Sequence, residues 1–317
     1  MEEGGLISCE ECIKSEENNL GWYVANQSDK LLVGVKVSGV IDTENCISKD
    51  EYKKKRIEEK ENSWKEKPMY GQFIRDMKEG VDKPGTWEWM RKADLKVGTE
   101  ALICAAQEQA LRTNYVKFRI DKTADSPLCR LCGEKGESIS HIVSECSKLA
   151  QREYKRRHDN IARIVHWKLC GEYHLDRAGK WYEHQPNAVE ENEDVKLLWD
   201  FTIQCDHMIE ARRPDIIIVK KKERHCSIID IAAPGDNRVC EKEQEKIEKY
   251  QDLKREISRI WKMKKVEVIP VIIGALGTIT KKMKGWLEKI GIEIRTELLQ
   301  KTALLGTARI LRKVMEM

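Results

Sequence analysis

The sequence has no apolar run long enough to cross a bilayer. Its longest stretches, such as Val268 to Leu276, fall well short of the ~20 residues a spanning helix needs. The opening Met1, Glu2 and Glu3 lack the basic residues and apolar core of a secretion signal. A membrane or secreted protein is therefore not expected; the expected location is the nucleus, acting on genomic DNA, or the cytoplasm. Internal repeats and long low-complexity tracts are also missing. Cys9 and Cys12 form a Cys-x-x-Cys without a second pair nearby, so they are read as incidental and not as metal ligands.

What is present is charge and cysteine. Of 317 residues, 40% are hydrophobic and 35% are Asp, Glu, Lys or Arg, the latter well above the roughly 25% of an average domain. The length suits one to two domains with a sizeable core. The net charge of +4 says little, because 58 basic residues nearly cancel 54 acidic ones. Its distribution says more. Lys148 to Lys180 holds nine Lys/Arg against four Asp/Glu, Arg212 to Arg224 holds six against two, and Lys242 to Lys289 holds thirteen against seven. Glu183 to Asp200, between them, has six acids and one base. Basic stretches flanking an acidic joint suit a chain that follows a phosphate backbone. Eleven cysteines is an odd count, so a disulfide scaffold is a poor explanation and clustered cysteines are tested first as metal ligands.

One cluster passes. Cys129-x2-Cys132-x8-His141-x4-Cys146 supplies three thiolates and an imidazole, the four ligands tetrahedral zinc wants. The tight turn between Cys129 and Cys132 aims both sulfurs at one ion, and Gly133 and Gly136 follow it where unusual backbone angles are expected. His141 and Cys146 would come from the start of a helix. Four protein ligands leave no open position, so this zinc would be structural.

Along the chain, 1–85 reads as a helical and linker region with a Lys/Glu-rich segment, Asp50 to Lys67. Region 86–170 reads as helical around the 129–146 knuckle, with a helix from Glu100 to Ile120. A basic helix over Leu149 to Leu169 follows, with Tyr154, Ile161, Ile164, Val165 and Leu169 as its apolar stripe. Residues 171–192 read as a polar linker. In 193–291 the pattern alternates: Val195, Leu198, Thr202, Cys205 and Ile209 mark one face of a helix. Ile216 to Val219 and Ile228 to Ala233 are strands, Glu241 to Met263 is one long helix, Val266 to Gly274 a third strand, and Thr280 to Ile290 a helix. This order predicts a small α/β domain, followed by a C-terminal helix in 292–317. The fold class expected is thus α+β or α/β.

The second constellation is acidic. Arg213-Pro214-Asp215 opens one strand and Asp230 lies in the next, with fourteen residues between the aspartates. A hairpin would bring both carboxylates to neighbouring positions where they can share a divalent cation such as Mg²⁺. Asp236 is also close in sequence. An acid inside Ile228-Ile229-Asp230-Ile231-Ala232-Ala233 is costly to bury without a cation or a hydrogen-bond network, which favours a working site. Lys246 and Lys249, three apart on the next helix, would flank an attacking water. The carboxylates are expected at the edge of a small mixed sheet, with raised proton affinity until metal binds. Arg212, Arg213, Lys155, Arg156 and Arg157 are the expected phosphate contacts.

These two motifs, in this order, resemble the C-terminal region of the polyprotein of non-LTR (LINE-type) retrotransposons that carry a restriction-enzyme-like endonuclease. In that family a polymerase is followed by a Cys-Cys-His-Cys zinc knuckle, then by a nuclease with an Arg/Lys-Pro-Asp motif and a second acid. Here these match Cys129, Cys132, His141 and Cys146, then Arg213, Pro214, Asp215 and Asp230. The family's catalytic lysine is displaced to the following helix, matching Lys246 or Lys249 beside Tyr250; the usual lysine position two beyond the second acid is Ala232. Glu100 to Asn114, Cys129 to His158 and Gly5 to Val24 extend the likeness. The resemblance implies a PD-(D/E)xK nuclease domain, structural Zn²⁺, catalytic Mg²⁺, and DNA and RNA as partners. It also implies target-site nicking whose freed 3′ hydroxyl primes reverse transcription. No Asp-Asp dipeptide occurs, so the polymerase's own metal-binding pair is missing. A polymerase domain outside this chain is then a further expected partner. The rival expectation is a catalytically inert, zinc-containing nucleic-acid-binding remnant of a truncated element.

Overall fold

The computed structural model describes residues 8–206 and 208–316. Met1, Glu2, Glu3 and Gly5, used above, lie outside them, as do His207 and Met317. The chain divides into two compact units, Met1–Ile74 and Arg75–Met317. The regions read as 86–170, 171–192, 193–291 and 292–317 all fall in the second unit.

The first unit is helical. Helix α1 spans Cys9–Ala25, α2 Lys30–Ser38 and α3 Lys49–Glu66. Ser8 and Glu11 form a reciprocal capping box at the start of α1, and Ser48 and Glu51 do the same for α3. Asp29 caps α2, which Gly39 ends at φ +66°, a left-handed conformation open to glycine at no steric cost. Cys9 and Cys12 are exposed and join no metal-ligand cluster among the described residues.

The second unit is built on a five-stranded mixed sheet: β1 (Val189–Glu191), β2 (Val195–Trp199), β3 (Ile216–Lys220), β4 (His225–Ala232) and β5 (Lys265–Ile272). The spatial order is β1-β2-β3-β4-β5. Pairing is antiparallel except between β4 and β5. Parallel neighbours need a long crossover, supplied here by α6 (Val239–Lys249) and α7 (Gln251–Ile260). The other long helices of this unit are α4 (Val97–Gln107), α5 (Lys155–Glu172), α8 (Met283–Ile290) and α9 (Thr296–Met315).

Strand side chains alternate between faces, and the two cores obey that rule. Ile216, Ile218, Ile229, Ile231, Ile269 and Val271 face Ile161, Val165 and Leu169 of α5, with Met283, Leu287 and Leu299 from α8 and α9. Ile217, Val219, Cys226, Ile228, Val266 and Val268 face Tyr250, Leu253 and Ile257. Both faces of β3 and β4 are covered, which explains their unbroken isoleucine runs. Helix α9 buries Leu299, Leu304 and Leu311 and so covers the domain.

Several elements differ from the sequence reading. The stretch that opens at Val195 is not a helix: β2 pairs with β3 over Val195–Trp199, and Asp200, just past its end, has φ +46°. The 3- and 4-residue spacing of its apolar residues imitated a helix, but sheet pairing decides the backbone. The helix expected over Glu241 to Met263 is two helices, parted at Tyr250. The helix expected over Glu100 to Ile120 stops at Gln107, and Gln109 takes φ +57°. Residues 171–192 are more than a linker, since they contribute β1 and the buried His184.

Asp236 does not join the acidic pair. Its carboxylate accepts from the backbone N–H groups of Leu276 (3.1 and 2.9 Å) and Thr278 (3.1 Å), closing the turn after β5. A Cβ on Gly274 would sit 2.2 Å from Asp236 Oδ1, far inside contact distance. Gly274→Ala should therefore lower stability by about 1–3 kcal/mol, the usual cost of overpacking. The loss would appear as a lower urea midpoint at unchanged slope.

Candidate functional site

The Cys/His cluster is built by a turn and a second, unusual turn. Gly133 N–H donates to Cys129 C=O at 2.8 Å and Gly133 takes φ +68°, as its position suggested; Gly136 is not in the positive-φ region. His141 to Glu145 form one π-helical turn in place of the expected α-helix start, closed by Cys146 N–H donating to His141 C=O at 2.9 Å. That i→i+5 geometry brings the two ligands, five residues apart, to one side. The ligand atoms of Cys129, Cys132, His141 and Cys146 all lie within 4.8 Å of one another. Two sulfurs bound at ~2.3 Å around a tetrahedral zinc would stand ~3.8 Å apart. Cys129 Sγ and Cys146 Sγ are 3.9 Å apart, and Cys132 Sγ is 3.3 Å from His141 Nε2. The four could hold a metal such as zinc.

The surroundings hold the cluster in place. Glu137, fully buried, takes both ends of the Arg130 guanidinium at 2.7 and 2.9 Å, and Arg130 also donates to Val314 C=O of α9 at 3.0 Å. Tyr154 Oη accepts from Cys146 N–H at 3.0 Å and donates to Ile142 C=O at 2.8 Å. Burial pushes the Cys146 thiol up to about 11, while the Glu134 N–H, 3.5 Å from its sulfur, lowers that of Cys132.

The acidic pair sits elsewhere, on the central hairpin. Register pairs Ile216 with Ile229, so Asp215, one residue before β3, lies opposite Asp230. Asp230 meets Lys246 and Tyr250 of the α6–α7 layer, whereas the carboxylate of Asp215, just outside the ladder, reaches His158 of α5. These are the ends of interior strands, not the sheet edge that was expected. Asp230 is only 2% exposed. Its carboxylate forms an ion pair with Lys246, whose side chain is 13% exposed, and accepts from Tyr250 Oη. Two partners on one buried acid meet the cost of burying it. The break between α6 and α7 falls at Tyr250 and points its hydroxyl at Asp230.

Asp215 Oδ2 accepts from Ile231 N–H at 2.6 Å and lies 3.2 Å from His158 Nε2 on α5. Burial works against ionisation of Asp215 most strongly. His158, the Ile231 N–H and Lys246 together outweigh it and hold the carboxyl below its ordinary value. The raised proton affinity expected for an isolated pair therefore does not apply to Asp215, because cationic neighbours already stand beside it. Burial likewise opposes the charge on His158. Asp159 and Asp215 nevertheless push its pKa up to about 10.

Of the other expected site residues, Lys249 is exposed and reaches Tyr250 Oη at 3.0 Å, not the carboxylates. Arg212, Lys155 and Arg156 are exposed, as phosphate contacts must be. Arg213 is exposed but engaged by Asp200 at 2.7 Å through two nitrogens. Arg157 corrects the reading. It is 1% exposed and donates to Thr307 Oγ1, Val143 C=O and Ala233 C=O at 2.8–2.9 Å, so it cannot reach a phosphate. The signal was there: position 157 lies between Tyr154 and Ile161 on the apolar stripe. His158 and the Tyr250 hydroxyl went unassigned, since only the fold brings them to the aspartates.

No known family model matches the chain, and no curated protein matches it in sequence. No described helix is long and apolar enough to cross a membrane.

Proposed function

We propose that the second unit is a restriction-enzyme-like, PD-(D/E)xK-type endonuclease that nicks DNA with Mg²⁺, joined to a zinc-bearing nucleic-acid-binding segment. This reading keeps the resemblance to the tail of a non-LTR retrotransposon reverse transcriptase. One observation carries it: Asp215 lies opposite Asp230 in the register of the central hairpin, with Lys246 against Asp230. Asp215 and Asp230 would hold Mg²⁺, which when bound polarises a phosphate and lowers the pKa of a water. Lys246 would orient that water through its ammonium, and Tyr250 and His158 would hold the two carboxylates in place. Hydrolysis adds water across one P–O bond, leaving a phosphate on one fragment and the proton on the released hydroxyl. The test is nicking of supercoiled plasmid in Mg²⁺ against EDTA. Open circles that form only with Mg²⁺ support the reading; an intact plasmid with a well-folded protein refutes it.

A second reading has its own support. Lys246, Tyr250, His158 and the Ile231 N–H already occupy the carboxylates, a closed network that needs no metal. On this reading the unit binds nucleic acid and does not cut.

Both readings require binding. Lys155 and Arg156 stand just before His158, and Arg212 just before Asp215, so exposed cations border the acidic pair on two sides. Duplex affinity should fall steeply with salt, because each neutralised phosphate releases counterions. Replacing Lys155, Arg156 and Arg212 together by Ala should flatten the slope of log K against log salt by about three. A slope that the triple variant leaves unchanged in a fluorescence-anisotropy titration would remove these residues from the interface.

A further inference from the structure

A second group of metal-type ligands lies in the same unit, apart from the knuckle. His166 and Cys170 are one helical turn apart on α5, so both project from one face. His184 comes from the irregular segment before β1, and Glu190 from β1 itself. His166, Cys170 and His184 are buried, at 0%, 0% and 3% exposure, and their ligand atoms lie within 4.8 Å of one another. His166 Nδ1 is 2.8 Å from His184 Nε2 and 3.4 Å from Cys170 Sγ. The Cys170 thiol donates to Glu190 Oε2 at 3.3 Å.

These distances suit a tetrahedron. Around zinc with bonds of ~2.3 Å to sulfur and ~2.0–2.1 Å to nitrogen or oxygen, a sulfur would stand ~3.5 Å from each lighter ligand. The two sulfur edges, 3.4 and 3.3 Å, match. The imidazole edge, at 2.8 Å, is hydrogen-bond length, so the rings would part by roughly half an ångström to admit an ion. A hydrogen-bonded chain of two imidazoles, a thiol and a carboxylate needs no such burial of His166, Cys170 and His184.

We propose that His166, Cys170 and His184, with Glu190 beside the thiol, form a second structural site for a zinc-like divalent ion. Its effect would be to staple β1 and the 173–188 segment onto α5, the helix that also carries His158. The 173–188 segment is otherwise held by scattered contacts, such as Trp167 Nε1 on Ala178 C=O and Arg177 stacked 4.2 Å above the Trp167 ring. Glu190 stays oriented through Asn187 Nδ2, which donates to its Oε1 at 3.1 Å, the kind of support outer-shell groups give metal ligands.

The test is metal stoichiometry of the full chain, purified with zinc and gel-filtered. The expected content is about two zinc ions per chain, one for each ligand cluster. Cys170→Ser, with circular dichroism unchanged, should drop this by one, and Cys132→Ser should independently remove the other. A wild-type protein with a single zinc that Cys132→Ser removes would overturn the proposal, as would a folded Cys170→Ser that keeps both. Should Cys170→Ser fail to fold, Co²⁺ titration of the stripped wild type decides. Saturation after two equivalents, one with weak single-thiolate and one with strong three-thiolate charge-transfer absorption, supports the site. Saturation after one equivalent overturns it.

Discussion

Asp230→Asn is expected to reduce Mg²⁺-dependent nicking on the order of a thousandfold, the scale on which a single preorganised polar or proton-transfer group is felt. The substitution keeps the shape and the oxygen that accepts from Tyr250, but removes the charge shared with Lys246. DNA binding should hold or rise, because losing one buried negative charge makes the potential around the site more positive. Lys246→Ala should lose most of the activity. Lys249→Ala should keep most of it, since Lys249 reaches the Tyr250 hydroxyl and solvent and not the acids. Plasmid nicking time courses, with thermal melts as the folding control, measure all three. Equal nicking by wild type and a folded Asp230→Asn would sink the assignment, and a reversed order of the two lysines would move the water-positioning role to Lys249.

What the sequence made legible here was local. Asp230 inside an isoleucine run, fifteen residues past Asp215, already implied a hairpin with two acids opposed, because alternation in two short buried strands leaves few registers. The knuckle was legible because its ligands fall within one short span. What failed was what only long-range packing decides. The charge of Arg157 pointed to solvent, yet its place on the apolar stripe of α5 was the stronger cue, and three buried acceptors make that burial tolerable. Val195 to Trp199 had helical spacing, but a central sheet with both faces covered recruited it as a strand. His158, Tyr250, His166 and His184 carry no local signal of function, because their partners lie on other elements.

Cys132→Ser should cost the protein one zinc and with it the order of residues 126 to 170. The reason is a comparison of magnitudes. Structural zinc in small domains contributes apparent binding energies of about 10–16 kcal/mol, whereas whole domains are stable by only about 5–15 kcal/mol. The knuckle's chain is turns and a single π-helical turn, so the ion would be the tie that joins its two halves directly. The damage should spread, because Tyr154 is tied to Cys146 and Ile142, Arg157 to Val143, and Arg130 to Val314 of α9. His158, one residue past Arg157, would lose its position beside Asp215, so nicking should fall as well although no catalytic side chain is changed. Hydrogen exchange mapped along the chain, with zinc content measured on the same sample, checks this. Protection lost over 126 to 170, and restored in wild type stripped by chelator when zinc is returned, is the expected pattern. Unchanged protection and unchanged zinc in Cys132→Ser would mean that the four side chains hold no ion.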